Sequence, residues 1–265
     1  MHSKKKFFVG IDVGASRTKA AILDSKQRLI GHAVMKSGTE FGLSAQKSLD
    51  SALQMAGISP DQVACGVSTG YGRKNVAFVD DTKTEIACHA RGCYHYFPVA
   101  ITIIDIGGQD NKIIKLDAAG RRVGFKMNRK CAAGTGAFLE EMSLRLDIPL
   151  EKMNQLAESS DDIVELGSYC TVFTATEVLE KIRQGKKLPD IVKGLFSSVI
   201  KRVLEMASFS ENVVITGGVV AHNPYLARML EASIGRKVLV PDFPQLTGAI
   251  GAALFAGDGL LEEDP

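Results

Sequence analysis

The chain has 265 residues, 45% of them hydrophobic, enough to bury a large core in one large or two medium domains. Lys and Arg number 32 against 30 Asp and Glu, and a net charge of +2 is too small for a nucleic-acid footprint. No apolar run approaches the roughly 20 residues that span a bilayer, no apolar block follows the start as a signal peptide requires, and five cysteines without short paired spacings are no secreted disulfide framework, so a cytoplasmic protein with no membrane or nucleic-acid partner is expected.

Lys4-Lys5-Lys6 is the one basic run and reads as a solvated tail. The spacing then predicts strands over 7–13, 18–23 and 28–34, separated by turns at Gly14-Ala15-Ser16-Arg17 and Asp24-Ser25-Lys26-Gln27, a three-stranded meander. An amphipathic helix is expected over 44–56, and a short strand over 63–67 runs into Thr69-Gly70-Tyr71-Gly72-Arg73. At Ile101 the pattern starts again. Strands over 101–106, 112–116 and 123–127 are divided by Gly107-Gly108-Gln109-Asp110 and Asp117-Ala118-Ala119-Gly120. With an offset of 93, Ile11, Asp12, Gly14, Lys19, Leu23 and Asp24 fall on Ile104, Asp105, Gly107, Lys112, Leu116 and Asp117. Such a long repeat predicts two similarly folded lobes rather than a solenoid.

Each meander places Asp and Gly at its first turn. Glycine permits positive φ and close backbone approach, so that successive N–H groups can cradle a phosphate, and an aspartate at a strand end can hold Mg²⁺ through its waters. Two facing loops, Asp12 to Lys19 and Asp105 to Lys112, are expected to grip a polyphosphate from both sides, the N–H groups of Gly14 to Thr18 and Gly107 to Gln109 supplying much of the hold.

After the second meander, Asn128-Arg129-Lys130-Cys131-Ala132-Ala133-Gly134-Thr135-Gly136 sets a cysteine against a small turn at the start of a helix read over 137–144. Cys170 repeats the arrangement before a helix through 174–182. Helix-start N–H groups and the helix dipole favour the thiolate, the form that binds metal, and two such cysteines are half of a four-thiolate site. Cys65 reads as a core residue. Cys88 and Cys93, with His89 between them, lack the second pair that a zinc site needs.

Toward the C-terminus, Ile191, Val192, Leu195, Phe196, Val199, Ile200, Val203 and Leu204 form the stripe of a core helix. A buried strand over 213–216 stops at Gly217-Gly218, and Asn223-Pro224 begins a helix over 225–232, a surface on which a purine and ribose could lie. A strand over 238–240 and Pro244-Gln245-Leu246-Thr247 lead to small residues over 248–253 that let a helix approach its neighbour closely. No G-x-x-x-x-G-K-[ST] loop and no G-x-G-x-x-G after a strand are present, which excludes P-loop and Rossmann readings.

The doubled Asp-x-Gly meander with the later Gly-Gly turn resembles the acetate and sugar kinase, Hsp70 and actin superfamily of ATPases. Within it, the stretch Lys130 to Gly136, Thr69 to Arg73, Ile104 to Asp110 and Cys170-Thr171-Val172-Phe173 resemble the activator proteins of 2-hydroxyacyl-CoA dehydratases, related to the ATPase subunits of benzoyl-CoA reductase. The resemblance implies a two-lobed α/β, ribonuclease H-like fold, with a first lobe over 1–100 to which 247–265 returns and a second over 101–246 that carries the cysteines. It implies a homodimer holding one 4Fe-4S cluster on Cys131 and Cys170 of each chain, and ATP or ADP with Mg²⁺ in the cleft between lobes. Asp12, Asp105 and Gln109 are then assigned to catalysis. Gly14, Ala15, Ser16, Arg17, Thr18, Lys19, Gly107, Gly108, Gln109, Gly134, Gly217, Gly218, Asn223 and Gln245 are assigned to the nucleotide. The implied role is to take an electron from ferredoxin or flavodoxin and inject it, driven by ATP hydrolysis, into a partner iron-sulfur enzyme: a dehydratase, a benzoyl-CoA reductase-like enzyme or a double-cubane protein. The chain departs from the activators at Arg129, Ala137 and Ala175-Thr176, where they usually carry an acidic residue, a basic residue and a Glu-Ser pair. A small-molecule kinase or an ATP-switched interaction protein without a cluster is the alternative on the same fold.

Overall fold

The computed structural model describes residues 7–128, 131–167, 170–206, 208–209 and 212–261. Lys4 to Lys6, Arg129 and Lys130, all part of the sequence reading, lie outside them. The described chain forms two compact units. One takes residues up to Val99, Leu116–Arg122 and the stretch from Leu246; the other takes Ala100–Lys115 and Val123–Gln245.

In the first unit β1 (Phe7–Val13), β2 (Arg17–Leu23) and β3 (Leu29–Lys36) form an antiparallel meander. The crossover helix α1 (Phe41–Ala56) brings β4 (Val63–Thr69) parallel to the other side of β1, and β5 (Asp81–Thr82) closes the edge. Helix α2 (Glu85–Tyr96) follows. In the second unit β6 (Ile101–Ile106), β7 (Asn111–Leu116) and β8 (Arg122–Asn128) repeat the meander. Helices α3 (Gly136–Leu146), α4 (Met153–Glu158), α5 (Thr171–Arg183) and α6 (Leu188–Met206) lead to β9 (Val213–Thr216), parallel to β6; then come α7 (Gly218–His222), α8 (Tyr225–Ile234) and β10 (Val238–Leu239). Helix α9 (Thr247–Leu261) belongs to the first unit.

The sheet orders are β3-β2-β1-β4-β5 and, read the same way, β8-β7-β6-β9-β10. The duplication therefore extends past the meanders to the parallel strand that follows each. It reaches the second turns as well. Asp24 Oδ1 accepts from the N–H groups of Lys26 and Arg28 while Oδ2 takes the Arg28 guanidinium; Asp117 does the same with Ala119 and Arg121, 93 residues on. Burial by itself raises the Asp24 carboxyl, but the Arg28 side chain and these N–H donors outweigh it and hold its pKa below the usual carboxylate value.

Every residue of β1 is buried because both of its faces are covered. Phe7, Val9, Ile11 and Val13 pack with Ala45, Ala52 and Leu53 of α1, and Phe8 packs with Cys88, Ala252 and Ala256. At Gly10 a Cβ would lie 1.9 Å from the Ala249 carbonyl oxygen, so glycine there is required by the approach of α9. The small residues of α9 serve the same end against α2: a Cβ at Gly251 would fall 1.8 Å from the Cys88 carbonyl oxygen.

Two local expectations are corrected. Helix α1 starts at Phe41 instead of residue 44, and Ser44, the first residue of the expected helix, lies inside the first turn with its hydroxyl on the Phe41 carbonyl. Helix α2 was not foreseen, because its buried face, Ile86, Cys88, His89, Ala90, Gly92 and Cys93, has one large aliphatic residue and is too weakly apolar to show a period; Thr84 caps it by accepting from the Ala87 N–H. The core stripe of α6 is as expected, with Ile191, Val192, Leu195, Phe196 and Val199 at 0% exposure.

Candidate nucleotide site and cysteine pair

Asp12 ends β1, 2% exposed, and Oδ2 accepts from Lys19 Nζ at 2.9 Å. Asp105 ends β6 at the same exposure and takes Lys112 Nζ at 3.1 Å. The two pairs occupy equivalent places in the repeat, so each strand-end carboxylate is neutralised by a lysine seven residues later on the antiparallel neighbour. In both units the loop between them closes on itself: the Gly14 N–H donates to the Arg17 carbonyl at 3.0 Å and the Gly107 N–H to the Asp110 carbonyl at 2.9 Å.

This closure corrects the cradle expected from sequence. The Gly14 and Gly107 N–H groups are spent inside their turns, and neither residue has positive φ. Glycine is needed because a Cβ would meet the turn's own carbonyl, Arg17 O at 2.9 Å or Asp110 O at 2.8 Å. Ala15 and Gln109 are exposed at the two loop tips, and Ser16, Arg17 and Gly108 are partly exposed beside them. Thr18 is fully buried and bonds the Ser37 and Ser44 hydroxyls.

The carboxylates differ in what else they hold. Thr216, opposite Asp105 on β9, donates to Asp105 Oδ1 at 2.9 Å. Lys112 is shared with Asp110, whose Oδ1 is 2.6 Å away. Thr69 has the same place opposite Asp12 on β4, yet Asp12 Oδ1 is buried without a hydrogen-bond partner. The backbone crowds that oxygen. Gly70, with φ +87°, would put a Cβ 2.5 Å from Asp12 Oδ1, and Gly248 would put one 3.0 Å from Oδ2 and 3.2 Å from Nε2 of His89. His89 is itself buried, its Nδ1 3.0 Å from the Thr247 hydroxyl. A buried carboxylate oxygen lacking a donor, in a glycine-walled recess, fits the water shell of a hydrated Mg²⁺.

Cys131 and Cys170 are half-buried in the second unit. Cys170 is the N-cap residue of α5, and its carbonyl accepts from the Thr174 N–H and hydroxyl. Cys131 is separated from its helix by the small turn that the sequence suggests. In that turn the Thr135 N–H returns to the Ala132 carbonyl, and α3 begins at Gly136, one residue before the expected start. The N–H groups of Gly136 and Ala137 are taken by the carbonyls of Gly107 and Gly108, at 2.9 and 2.7 Å, so these donors serve the second acidic loop in place of a thiolate. Gly134, φ +82°, shapes the turn. Helices α3 and α5 pack against each other. Two of the remaining cysteines are poor ligands: burial pushes the Cys65 thiol up to about 11 and the Cys88 thiol up to about 12. Among the described residues no three His, Cys, Asp or Glu side chains gather as a metal site.

At the end of β9, Gly217 has φ +103°, and a Cβ there would meet the Ile106 carbonyl oxygen at 2.2 Å; its N–H donates to the Pro244 carbonyl. The two glycines do not form an open turn. Gly217 caps α7, which starts at once at Gly218, and Gly218 faces Gln245, whose Nε2 would lie 3.1 Å from an added Cβ. Asn223 ends α7 and, with Pro224 as the N-cap residue, leads into α8 at Tyr225 as expected; Nδ2 donates to the Val219 carbonyl and Oδ1 is buried without a partner. Sequence reasoning missed Thr216, Asn111, Ser37, Ser44 and His89. The repeat offset was the one signal for any of them, since it lays Thr18 on Asn111.

The sequence model of the BadF/BadG/BcrA/BcrD ATPase family matches residues 9–256. The chain is 42% identical to the activator of lactoyl-CoA dehydratase from Anaerotignum propionicum, over 94% of this chain and 97% of that one. Among solved structures it is similar to the activator of the 2-hydroxyisocaproyl-CoA dehydratase from Clostridium difficile with bound ADPNP, with a TM-score of 0.91 and 38% identity over 97% of this chain and 96% of that one. A ROK family glucokinase from Streptomyces griseus shares the fold alone, with a TM-score of 0.57 and 12% identity over 96% of this chain and 100% of that one.

Proposed function

The chain belongs to the BadF/BadG/BcrA/BcrD ATPase family, and we propose that it is an ATP-driven electron activator: a homodimer with one 4Fe-4S cluster on Cys131 and Cys170 of each copy, which takes an electron from ferredoxin or flavodoxin and delivers it to an iron-sulfur partner enzyme. The observation that carries this reading is the joining of its two halves in one unit. The cysteines precede α3 and α5, which pack together, and α3 hangs by its first two N–H groups on the acidic loop that follows β6.

Asp12, whose Oδ1 has no protein donor, orients the water shell of Mg²⁺, and Asp105 holds Lys112 in place beside the second loop. Arg17 and Lys19 offer charge to phosphate oxygens. Ala15, Ser16, Gly108 and Gln109 meet the nucleotide at the loop tips, Gln109 taking part in catalysis, and Gly134, Gly217, Gly218, Asn223 and Gln245 surround its remainder. When bound, the cluster supplies a one-electron carrier whose potential depends on solvent access and on hydrogen bonds to its sulfurs. One chain offers two suitable thiolates, so a second copy completes the set. Val172 and Leu179, seven residues apart on one face of α5, are 66% and 52% exposed, and Phe173 beside them is 70% exposed; a second copy covers this apolar stripe. Relatives named for dehydratase activation make a 2-hydroxyacyl-CoA dehydratase the favoured acceptor class. A kinase without a cluster leaves both the helix-start cysteines and this stripe without a role.

The test is anaerobic purification with iron, sulfide and mass determined together. A brown protein with about four iron and four sulfide per two chains, whose iron is lost to a chelator at a rate set by Mg-nucleotide, supports the reading. A colourless, iron-free protein that phosphorylates a sugar or carboxylate overturns it.

A further inference from the structure

Asn111 is neither an acidic-loop carboxylate nor a cysteine, yet it is 1% exposed and opens β7 directly after the loop 107–110. Its Nδ2 donates to the Gly134 carbonyl at 2.9 Å, while its Oδ1 is buried without a hydrogen-bond partner. Gly134 lies three residues after Cys131, in the turn that the Thr135 N–H and hydroxyl close onto the Ala132 carbonyl. With the bonds from Gly136 and Ala137 to Gly107 and Gly108, three hydrogen bonds within four residues bind the Cys131 turn to this loop.

The first unit shows what the fold requires at this place. There Thr18 stands in the position of Asn111, bonding the Ser37 and Ser44 hydroxyls, and the Gly14 carbonyl accepts from the Ser37 hydroxyl at 2.6 Å. A short hydroxyl is enough to pin that loop. The second unit instead uses a longer amide that leaves one buried acceptor unsatisfied, a destabilising arrangement that natural cores avoid. What the amide gains is reach to the turn that carries Cys131.

We propose that Asn111 is the positioning residue that transmits the state of the 107–110 loop to Cys131, by locking the 132–135 turn to that loop. The inference rests on the assignment of 107–110 to the nucleotide. Amide hydrogen exchange on the full-length, anaerobically purified protein, with and without Mg-ADPNP, separates the two. In the wild type, exchange changes by about threefold or more at both 107–109 and 132–137. In Asn111→Thr, which installs the first unit's residue, the change persists at 107–109 and falls below about 1.5-fold at 132–137. Asn111→Ser also removes the Nδ2 donor from the Gly134 carbonyl, and it serves if Asn111→Thr does not fold. A nucleotide response at 132–137 that survives in a folded variant, or a wild type that responds at 107–109 alone, overturns the proposal. A wild type with no response at 107–109 overturns the nucleotide assignment and this inference with it.

Discussion

Asp12→Asn and Asp105→Asn are expected to separate stability from hydrolysis. Asp105 and Lys112 are each 3% exposed at their side chains, so neutralising Asp105 leaves a buried ammonium without one of its partners. Breaking a buried pair costs about 3–5 kcal/mol, and because Lys112 keeps Asp110 the lower end applies, about 3 kcal/mol. Lys19 is 17% exposed and exchanges part of its partner for water, so Asp12→Asn costs about 1–2 kcal/mol. Hydrolysis ranks the other way. Asp12 Oδ1 carries no protein donor and is the acceptor left for the water shell of a cation, so Asp12→Asn lowers turnover by about 100-fold or more and raises the Mg²⁺ concentration needed for half-maximal rate. Asp105→Asn also lowers turnover by orders of magnitude but leaves that Mg²⁺ requirement closer to wild type, since both Asp105 oxygens already hold Thr216 and Lys112. Urea unfolding followed by circular dichroism, and ATP hydrolysis titrated with Mg²⁺, measure the two rankings. Equal stability losses, or a larger Mg²⁺ shift for Asp105→Asn, refute the reasoning.

Cys131→Ser or Cys170→Ser should remove the iron and weaken the dimer, whereas Cys65→Ser and Cys88→Ser, which replace thiols pushed up to about 11 and about 12, should keep iron near wild type by metal analysis. Gln27 has φ 59° where the repeat has Gly120 at φ 74°, so Gln27→Gly should raise the urea midpoint by about 0.5–1 kcal/mol of stability; Gly120→Ala should lower it by more than about 1 kcal/mol, because its Cβ meets the Tyr94 ring at 2.8 Å. The Asp24 carboxyl is held below its ordinary 3.8, so its contribution is present above that pH and lost as pH falls through the lower folded value; thermal melts between pH 5 and 2.5 should show a shallower acid decline in Asp24→Asn than in the wild type.

The sequence alone determined the duplicated architecture. Strand burial, turn glycines and the Asp-x-Gly spacing are properties of neighbouring residues, and an offset of 93 needs no knowledge of how the chain folds back. It also singled out Cys131 and Cys170 by their place before helices. Only the tertiary structure decided how these groups are wired, because hydrogen-bond partners follow strand order and helix approach, which no local pattern encodes. Thr216 reaches Asp105 from 111 residues away because β9 lies beside β6, and His89 meets Thr247 across 158 residues because α9 returns to the first unit. The Gly14 and Gly107 N–H groups looked available for phosphate until the turns were seen to close on them, and the helix N-terminus foreseen for Cys131 is occupied by the loop carbonyls of Gly107 and Gly108. Helix α2 stayed hidden for the same physical reason: its buried face is fixed by contact with α9, which demands small residues, and small residues leave little hydrophobic period to read.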